Sequence, residues 1–234
     1  MFLNEIVNLD VATLTTSDEL KNYHKVLSIR DLSEDTFVLR LERKNIEFQA
    51  GQHIQLRVPG TKQFRIYSIY SGVQENFIEV LVKEIVEGYL TPRLRKVKIF
   101  DYLEIKKPAG HYILRPKDIL DSKFLFIASR TGISPFHSYV LSFPQLNYKL
   151  LHGVRYSHEA YEKETFERKR LAVCTTGDRL SNFHGRVTQY LKENEVDNES
   201  LVYLCGGSEM INDSIQILKT KGFKPEQFFV ESYF

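Results

Sequence analysis

The sequence predicts a mixed fold: an N-terminal antiparallel six-stranded β-barrel, followed by a C-terminal doubly wound α/β domain on a parallel sheet. Closely spaced strand patterns separated by Gly and Pro fill the first half, and strand and helix patterns alternate in the second. The change falls near Pro116, within residues 114–118, so we place the domains at residues 1–115 and 116–234. Residues 1–24 are an N-terminal extension to which the sequence assigns no role.

The first half contains five segments with the alternation or β-branched runs of short strands. Gly and Pro residues punctuate them, as expected for the turns of a small antiparallel barrel. The five segments are residues 25–29, 36–42, 52–58, 66–70 and 77–83.

The second half reads as βαβ units. An unbroken apolar run at residues 124–129 is typical of a parallel strand buried on both faces. Ser208 is predicted to cap a helix that carries Ile211, Ile215 and Leu218 on one face, with Gly222 as its stop. The other predicted strands are residues 149–153, 171–174, 201–205 and 228–230, and the other helices lie at residues 133–141 and 187–192.

Composition excludes several classes of protein. The net charge of +2 and pI near 8.4 are too mild to indicate a nucleic-acid partner. Cys174 and Cys205 lack CxxC spacing, so neither a metal site nor a disulfide framework is indicated. The first residues lack a signal-peptide pattern, and no stretch approaches 18 apolar residues. We therefore expect a monomeric cytoplasmic protein with no membrane span.

Arg65, Tyr67 and Ser68 are the strongest candidates of the first half. On a strand, Arg65 and Tyr67 share one face and Ser68 takes the other. An arginine can hold a phosphate by a forked contact, and a tyrosine beside it can stack on a flat ring. A surface arginine and a half-buried tyrosine on an ordinary strand are equally consistent with these residues.

Gly88 to Thr91 form a second candidate, because Thr91 is predicted to cap a helix whose first residue is Pro92. Backbone amides at such a helix start suit a pyrophosphate, although for this segment alone an ordinary capped helix is the better explanation. The segment 93–107 carries six Lys or Arg, which predicts either a surface that steers an acidic partner or a solvated face.

In the second half, Gly132 and the pair Cys205-Gly206 follow parallel strands, at the edge where such sheets bind nucleotides. A tight turn and a buried thiol would leave the same pattern. Three arginines follow the second and third strands and are candidates for holding an adenosine 2′-phosphate. Alternatively, they are ordinary surface charges in contact with solvent. They are Arg155, Arg179 and Arg186.

In chain order, these motifs resemble the plant-type ferredoxin/flavodoxin–NADP(+) reductase family, and most closely its short bacterial type. The resemblance extends from about Lys25 to the last residues printed. It is carried by Arg65-x-Tyr67-Ser68, Gly88-x-x-Thr91, Thr131-Gly132-Ile133-Ser134-Pro135, Cys205-Gly206-x-x-x-Met210 and Glu231-x-Tyr233. It implies an oxidoreductase that transfers hydride between NADP(H) and FAD. Single electrons would then pass between FAD and a separate acidic ferredoxin or flavodoxin.

The resemblance also implies roles for the matched residues. Tyr233 would cover the flavin, Phe234 would extend toward the FAD adenine, and the catalytic group would be Ser68, Cys205, Glu231 and Tyr233. Besides Tyr233 and Phe234, the implied FAD contacts are Arg65, Ile66, Tyr67, Ser68, Val82, Lys83, Gly88, Tyr89, Leu90, Thr91 and Thr131. The implied NADP contacts are Arg130, Thr131, Gly132, Arg155, Tyr156, Arg179, Arg186, Cys205, Gly206 and Met210.

Two departures bear on the nucleotide. Arg130 stands where the family has the first glycine of Gly-Thr-Gly, and Thr175-Thr176 replace its Ser-Arg, with Arg179 close enough to substitute. NADPH is therefore expected, with NADH as the alternative. Two other functions remain open: a related reductase that serves an oxygenase component, free flavin or ferric iron, and a flavin-binding partner protein without nicotinamide activity.

Overall fold

The computed structural model describes residues 20–233, which form two compact units. The first unit comprises residues 20–48 and 52–110, and the second comprises residues 49–51 and 111–233. The prediction for Phe234 and those for residues 1–19 lie outside the described residues.

The first unit is a six-stranded antiparallel sheet that closes on itself, as predicted. Neighbouring strands follow the order β4-β3-β6-β1-β2-β5. Ile69, just after β4, pairs with Val80 of β5, and the amide of Tyr70 donates to the Glu79 carbonyl at 2.8 Å, so the two edge strands meet. The strands are β1 (Tyr23–Asp31), β2 (Thr36–Glu42), β3 (His53–Arg57), β4 (Arg65–Ser68), β5 (Phe77–Lys83) and β6 (Tyr102–Ala109), with a four-residue helix α1 (Thr91–Leu94) between β5 and β6.

Alternation of side chains builds the barrel core. In β3, Ile54 and Leu56 are fully buried while the residues on either side of each are partly exposed. Burying one such side chain contributes about 1.5–3 kcal/mol. The same cluster includes Val80 and Val82 of β5 and Leu103 and Ile105 of β6.

The second unit is a six-stranded parallel sheet with the strand order β10-β9-β8-β7-β11-β12. Its strands are β7 (Lys123–Ser129), β8 (Asn147–Val154), β9 (Leu171–Thr175), β10 (Phe183–His184), β11 (Leu201–Gly206) and β12 (Phe228–Ser232). Its helices are α2 (Asp118–Asp121), α3 (Ser134–Ser142), α4 (Val187–Glu193) and α5 (Ser208–Thr220).

Helices cover both faces of this sheet, which confirms the predicted doubly wound architecture. Leu125 and Ile127 of β7 pack in one core with residues of α4 and α5. The alternate residue Phe126 stacks instead on Phe136 of α3, with ring centroids 4.8 Å apart. Tyr139, Tyr148 and Tyr203 complete an aromatic cluster on the α3 face.

Two predicted helix caps are wrong by one residue. Gly207, and not Ser208, is the N-cap of α5, and Leu90, and not Thr91, is the N-cap of α1. Both hydroxyl residues are instead the first residues of their helices. Within residues 20–233, no helix has the length and apolar character needed to cross a membrane.

Candidate functional site

The candidate residues of β4 lie on a partly open strand of the first unit. Arg65 is exposed, Tyr67 is half-buried and Ser68 is buried. Burial raises the pKa of Tyr67 to about 12, while the Arg65 guanidinium acts in the opposite direction. This coupling is expected for two residues on one strand face. Nη1 of Arg65 lies 3.3 Å from the carbonyl of its neighbour Phe64, so the forked end remains at the surface.

The loop from Ile85 to Thr91 is closed by backbone and hydroxyl contacts. A Cβ on Gly88 would lie 2.8 Å from the Ile85 carbonyl oxygen, so this close turn requires glycine. Oγ1 of Thr91 accepts the Ile85 amide at 2.9 Å and donates to the Ile85 carbonyl at 3.2 Å. The Tyr89 hydroxyl accepts the Lys62 amide at 3.1 Å, which ties this loop to the β3–β4 turn.

The remaining residues named for FAD in the first unit differ in exposure. Ile66 is 60% exposed, whereas Val82 and Leu90 lie in the barrel core, which limits any ligand contact there to their backbone. Nζ of Lys83 pairs with Oδ2 of Asp35 at 2.8 Å. A forked cation, an exposed apolar side chain and a half-buried ring on one strand fit a ligand with both phosphate and a flat ring, as FAD has.

In the second unit, the two predicted glycine sites lie in direct contact. A Cβ on Gly132 would lie 2.3 Å from the carbonyl oxygen of Cys205, and one on Gly206 would lie 2.2 Å from Oγ of Ser129. Gly206 also has a φ of +136°, which favours glycine. These glycines therefore let the turn after β7 pack against the end of β11. The same turn is braced by Oγ of Ser134, which donates to the Thr131 carbonyl at 2.8 Å.

Cys205, Glu231 and Tyr233 come together at the ends of β11 and β12. Cys205 pairs with Glu231 across the two parallel strands, and the Tyr233 amide donates to the Gly206 carbonyl at 3.0 Å. Burial first, and then the nearby Glu231, raise the pKa of Cys205 well above its usual value, although a side-chain hydrogen bond with Tyr233 opposes this. The thiol therefore stays neutral at physiological pH. Ser68 belongs to the first unit, and its grouping with these three residues stays a prediction.

Arg130 adopts a left-handed backbone with a φ of +52° and is exposed. Its carbonyl accepts a hydrogen bond from Nε2 of the buried His152 at 2.9 Å. Burial lowers the pKa of His152 to about 4, so the ring is neutral and its second nitrogen carries no proton. A buried neutral histidine thus holds the backbone at the position where the related family has glycine.

The arginines named for the adenosine phosphate are exposed at the ends of β8 and β9 and at the start of α4. The guanidinium of Arg155 lies 5.3 Å from the centre of the Tyr156 ring, and Nη1 of Arg186 lies 3.6 Å from Oε1 of Glu209. The Tyr156 ring packs where a Cβ on Gly177 would lie, only 2.4 Å from its nearest atom. Met210, in the first turn of α5, is partly buried against the core on the α4–α5 face of the sheet.

Asp178 is a candidate residue that the sequence interpretation missed. Its Oδ2 accepts the Ser157 amide at 2.7 Å, and this bond is the main cause that lowers the pKa of Asp178. Oγ1 of the buried Thr175 donates to the Asp178 carbonyl at 2.9 Å, which holds the loop after β9. A carboxylate thus joins the loops that carry Arg155 and Arg179. The feature of the sequence that could have identified Asp178 is an acidic residue shortly after the third parallel strand.

The chain is similar to known proteins both in sequence and in fold. Residues 23–113 match the family model of the oxidoreductase FAD-binding domain. The chain is 27% identical over 244 residues to a flavodoxin/ferredoxin–NADP reductase of Buchnera aphidicola subsp. Baizongia pistaciae (strain Bp), covering 89% of this chain and 97% of that one. It is 24% identical to the toluate 1,2-dioxygenase electron transfer component of Pseudomonas putida, covering 97% of this chain and 72% of that one.

Two other relatives are longer than this chain. The match covers 60% of the length of one and 46% of the length of the other. A crystal structure of a ferredoxin–NADP+ reductase from Neisseria gonorrhoeae with bound FAD and NADP shares the fold, with a TM-score of 0.79 at 22% identity. The match covers 91% of this chain and 98% of that chain. Residues 23–113 thus match an oxidoreductase FAD-binding domain, and the chain is similar in sequence to flavodoxin/ferredoxin–NADP reductases and shares the fold of the Neisseria gonorrhoeae reductase.

Proposed function

We propose that this protein is a ferredoxin or flavodoxin reductase. It would transfer hydride between a nicotinamide nucleotide and FAD, and single electrons between FAD and a separate redox protein. The observation that carries the proposal is the group formed by Cys205, Glu231 and Tyr233 at the carboxyl ends of β11 and β12. A nucleotide-binding sheet presents its ligands at this edge.

The first unit would hold FAD through the open face of β4. Arg65 supplies two parallel donors for the pyrophosphate, and Tyr67 supplies a ring for stacking. FAD supplies the redox chemistry, because it accepts two electrons as hydride and releases them one at a time. The protein's part is to hold the ring, keep the reacting centre away from water and set the charges around it.

The second unit would hold the nicotinamide nucleotide. The close contact of Gly132 with Cys205 packs the turn after β7 against the end of β11, at the sheet edge where a dinucleotide would approach. The thiol of Cys205 is buried and neutral, so it offers a polarizable, uncharged contact to an arriving nicotinamide. Glu231 adds the negative charge beside it.

The choice between NADPH and NADH depends on the loops after β8 and β9. Arg155, Arg179 and Arg186 would favour a 2′-phosphate, as the sequence predicts. Asp178 opposes them, because a carboxylate repels a phosphate and accepts a hydrogen bond from a ribose 2′-hydroxyl. Oδ2 of Asp178 is already bonded to the Ser157 amide. We therefore propose that both nucleotides are used and that Asp178 limits the advantage of NADPH.

A reductase for an oxygenase component is the second candidate, favoured by the match to the toluate dioxygenase component over 97% of this chain. An acidic acceptor protein suits either function. The segment 93–107 is rich in lysine and arginine, and it would attract such a protein over a long range. Reduction of a flavodoxin, a ferredoxin and an oxygenase component by the purified holoenzyme would separate the two.

The expected result is fast NADPH-dependent reduction of ferredoxin or flavodoxin that slows as the salt concentration rises. If neither protein is reduced while an oxygenase component is, the second candidate is correct. A flavin that stays oxidised with both NADPH and NADH in the absence of oxygen would rule out both, and would favour a flavin-binding partner protein.

A further inference from the structure

His152 is a buried residue of β8 to which the sequence interpretation gave no role. It is only 3% exposed, and in the parallel sheet it pairs with Ala128 of β7 and Val173 of β9, which are buried as well. A polar ring in such surroundings needs a hydrogen-bond partner. Its Nε2 lies 2.9 Å from the carbonyl oxygen of Arg130. His152 therefore connects the interior of the sheet to the turn that follows β7.

The partner of this contact fixes where the proton of the ring lies. A carbonyl oxygen can only accept, so Nε2 of His152 must carry a proton and donate it. Burial lowers the pKa of His152 to about 4, so the ring is neutral at physiological pH and its one proton is on Nε2. The ring is therefore a donor directed at a single backbone carbonyl.

The backbone of Arg130 needs a restraint, because it lies in the left-handed region with a φ of +52°. The Cβ of an L-residue crowds the following carbonyl oxygen in this region, and such a conformation persists where the surrounding structure enforces it. The next carbonyl, that of Thr131, accepts Oγ of Ser134 at 2.8 Å. Side chains thus hold two successive carbonyls, and His152 supplies the bond at the left-handed residue itself.

The side chain of Arg130, unlike its backbone, is exposed. The structure records no hydrogen bond or ion pair between its guanidinium and any other of residues 20–233. Arg130 directly follows β7, at the carboxyl edge where a parallel sheet binds the phosphates of a dinucleotide. A guanidinium can hold phosphate oxygens by two parallel hydrogen bonds. An exposed cation on a restrained backbone at this edge suits a pyrophosphate, which NADPH and NADH share.

We propose that His152 is a positioning residue for nucleotide binding. Its Nε2–H holds the Arg130 carbonyl, and thereby the left-handed turn, so that the Arg130 guanidinium pairs with the pyrophosphate of the nicotinamide nucleotide. This inference rests on the proposed function, because it takes that nucleotide as the substrate. His152 itself does not contact the nucleotide; it acts through Arg130.

Arg130→Gly tests the cation, because glycine adopts a φ of +52° without strain. Titration calorimetry of the oxidised holoenzyme with NADP+ and with NAD+ measures binding without turnover. We expect both Kd values to rise about tenfold, through loss of charge-assisted hydrogen bonds to phosphate. FAD content and the rate constant of flavin reduction at saturating nucleotide should stay near those of the wild type. A loss confined to NADP+ would place Arg130 at the 2′-phosphate and overturn the assignment.

His152→Phe tests the restraint, because it removes the donor and keeps a ring of similar size. We expect both Kd values to rise about fivefold, the scale of one lost hydrogen bond. In the Arg130→Gly background, the same change should cause no further rise, since no guanidinium is left to position. A histidine that only stabilises the sheet would weaken binding equally in both backgrounds. His152→Gln, whose amide can donate to the same carbonyl, should restore part of the affinity.

His137→Phe is the matched control. His137 is another buried histidine of the second unit, 4% exposed, but its Nε2 lies 3.2 Å from the Thr165 hydroxyl. Its replacement should leave both Kd values unchanged. Nitrogen-15 NMR of the histidine rings gives a spectroscopic readout. The ring resonances lost in His152→Phe should show a proton on Nε2 and none on Nδ1 at neutral pH, and the opposite pattern would contradict the hydrogen bond.

Wild-type affinity for both nucleotides in Arg130→Gly, or equal effects of His152→Phe in the two backgrounds, would overturn the inference. Failure of the proposed function looks different, since the wild-type flavin would then not be reduced by either nucleotide. Should His152→Phe lose its fold, the smaller change His152→Ala takes its place in the two backgrounds. Equal effects of that change would likewise count against the inference.

Discussion

The two units present their candidate residues in opposite environments. On β4 of the first unit, Arg65 and Ile66 are exposed, and the forked end of Arg65 is at the surface. At the end of β11 in the second unit, Cys205 is fully buried. Exposed groups recognise a ligand, whereas buried groups have charge states that the protein itself sets. We therefore expect flavin binding to depend on the exposed strand of the first unit and flavin reduction to depend on the strand ends of the second unit.

The largest effect should come from the half-buried acid Glu231. Glu231→Gln removes the charge beside Cys205 and keeps the shape. We expect the rate constant of flavin reduction to fall about a hundredfold while FAD content stays the same, because positioned acid–base groups contribute on that scale. Anaerobic stopped-flow absorbance measures it. Glu226→Gln, in the exposed turn before β12, is the control, and an equal loss there would deny Glu231 a specific role.

The next effect concerns the packing around Cys205, which pairs with Glu231 across the two strands. Gly132→Ala places a methyl group 2.3 Å from the Cys205 carbonyl oxygen. We expect the free energy of unfolding to fall by about 2 kcal/mol, because the backbone must move. Urea unfolding measures it.

Gly207→Ala is its matched control, since nothing lies within 4 Å of the added methyl group and the φ of Gly207 is −70°. Its unfolding free energy should change by no more than about 1 kcal/mol. Equal destabilisation of the two variants would contradict a special role for the Gly132 contact.

On the exposed side, Arg65→Ala should raise the dissociation constant of FAD about tenfold, through loss of charge-assisted hydrogen bonds to phosphate. Fluorescence titration of the FAD-depleted protein measures it. Arg168→Ala, an exposed arginine of the second unit, should bind FAD as the wild type does. Unchanged affinity in Arg65→Ala would move the pyrophosphate site away from β4.

The smallest effect should come from Asp178→Asn, which removes the charge while its oxygen still accepts the Ser157 amide. We expect the ratio of kcat/KM for NADPH over NADH to rise about fivefold, the scale of an exposed charge interaction. Steady-state kinetics with both nucleotides measures it, with Asp213→Asn on α5 as the control. A ratio that falls would place Asp178 away from the adenosine ribose.

Local pattern predicted much of this fold and less of the site. Strands β2 and β5 have the predicted bounds, because their runs of apolar residues are buried along most of each strand. Strand β6 was missed among the segments, since its end Lys106-Lys107-Pro108 is polar and partly exposed. The two-residue β10 is too short to leave a pattern. Asp178 left only a weak signal, because its bond to the Ser157 amide joins two loops that only the fold brings together.

The central claim is that residues of the first unit bind the flavin and that residues at the strand ends of the second unit control its reduction. Anaerobic stopped-flow reduction of the FAD-saturated protein by NADPH, compared between Arg65→Ala and Glu231→Gln, tests it most directly. The account predicts a rate constant near that of the wild type for Arg65→Ala, and one about a hundredfold lower for Glu231→Gln. Similar losses in the two variants, or a loss confined to Arg65→Ala, would contradict it.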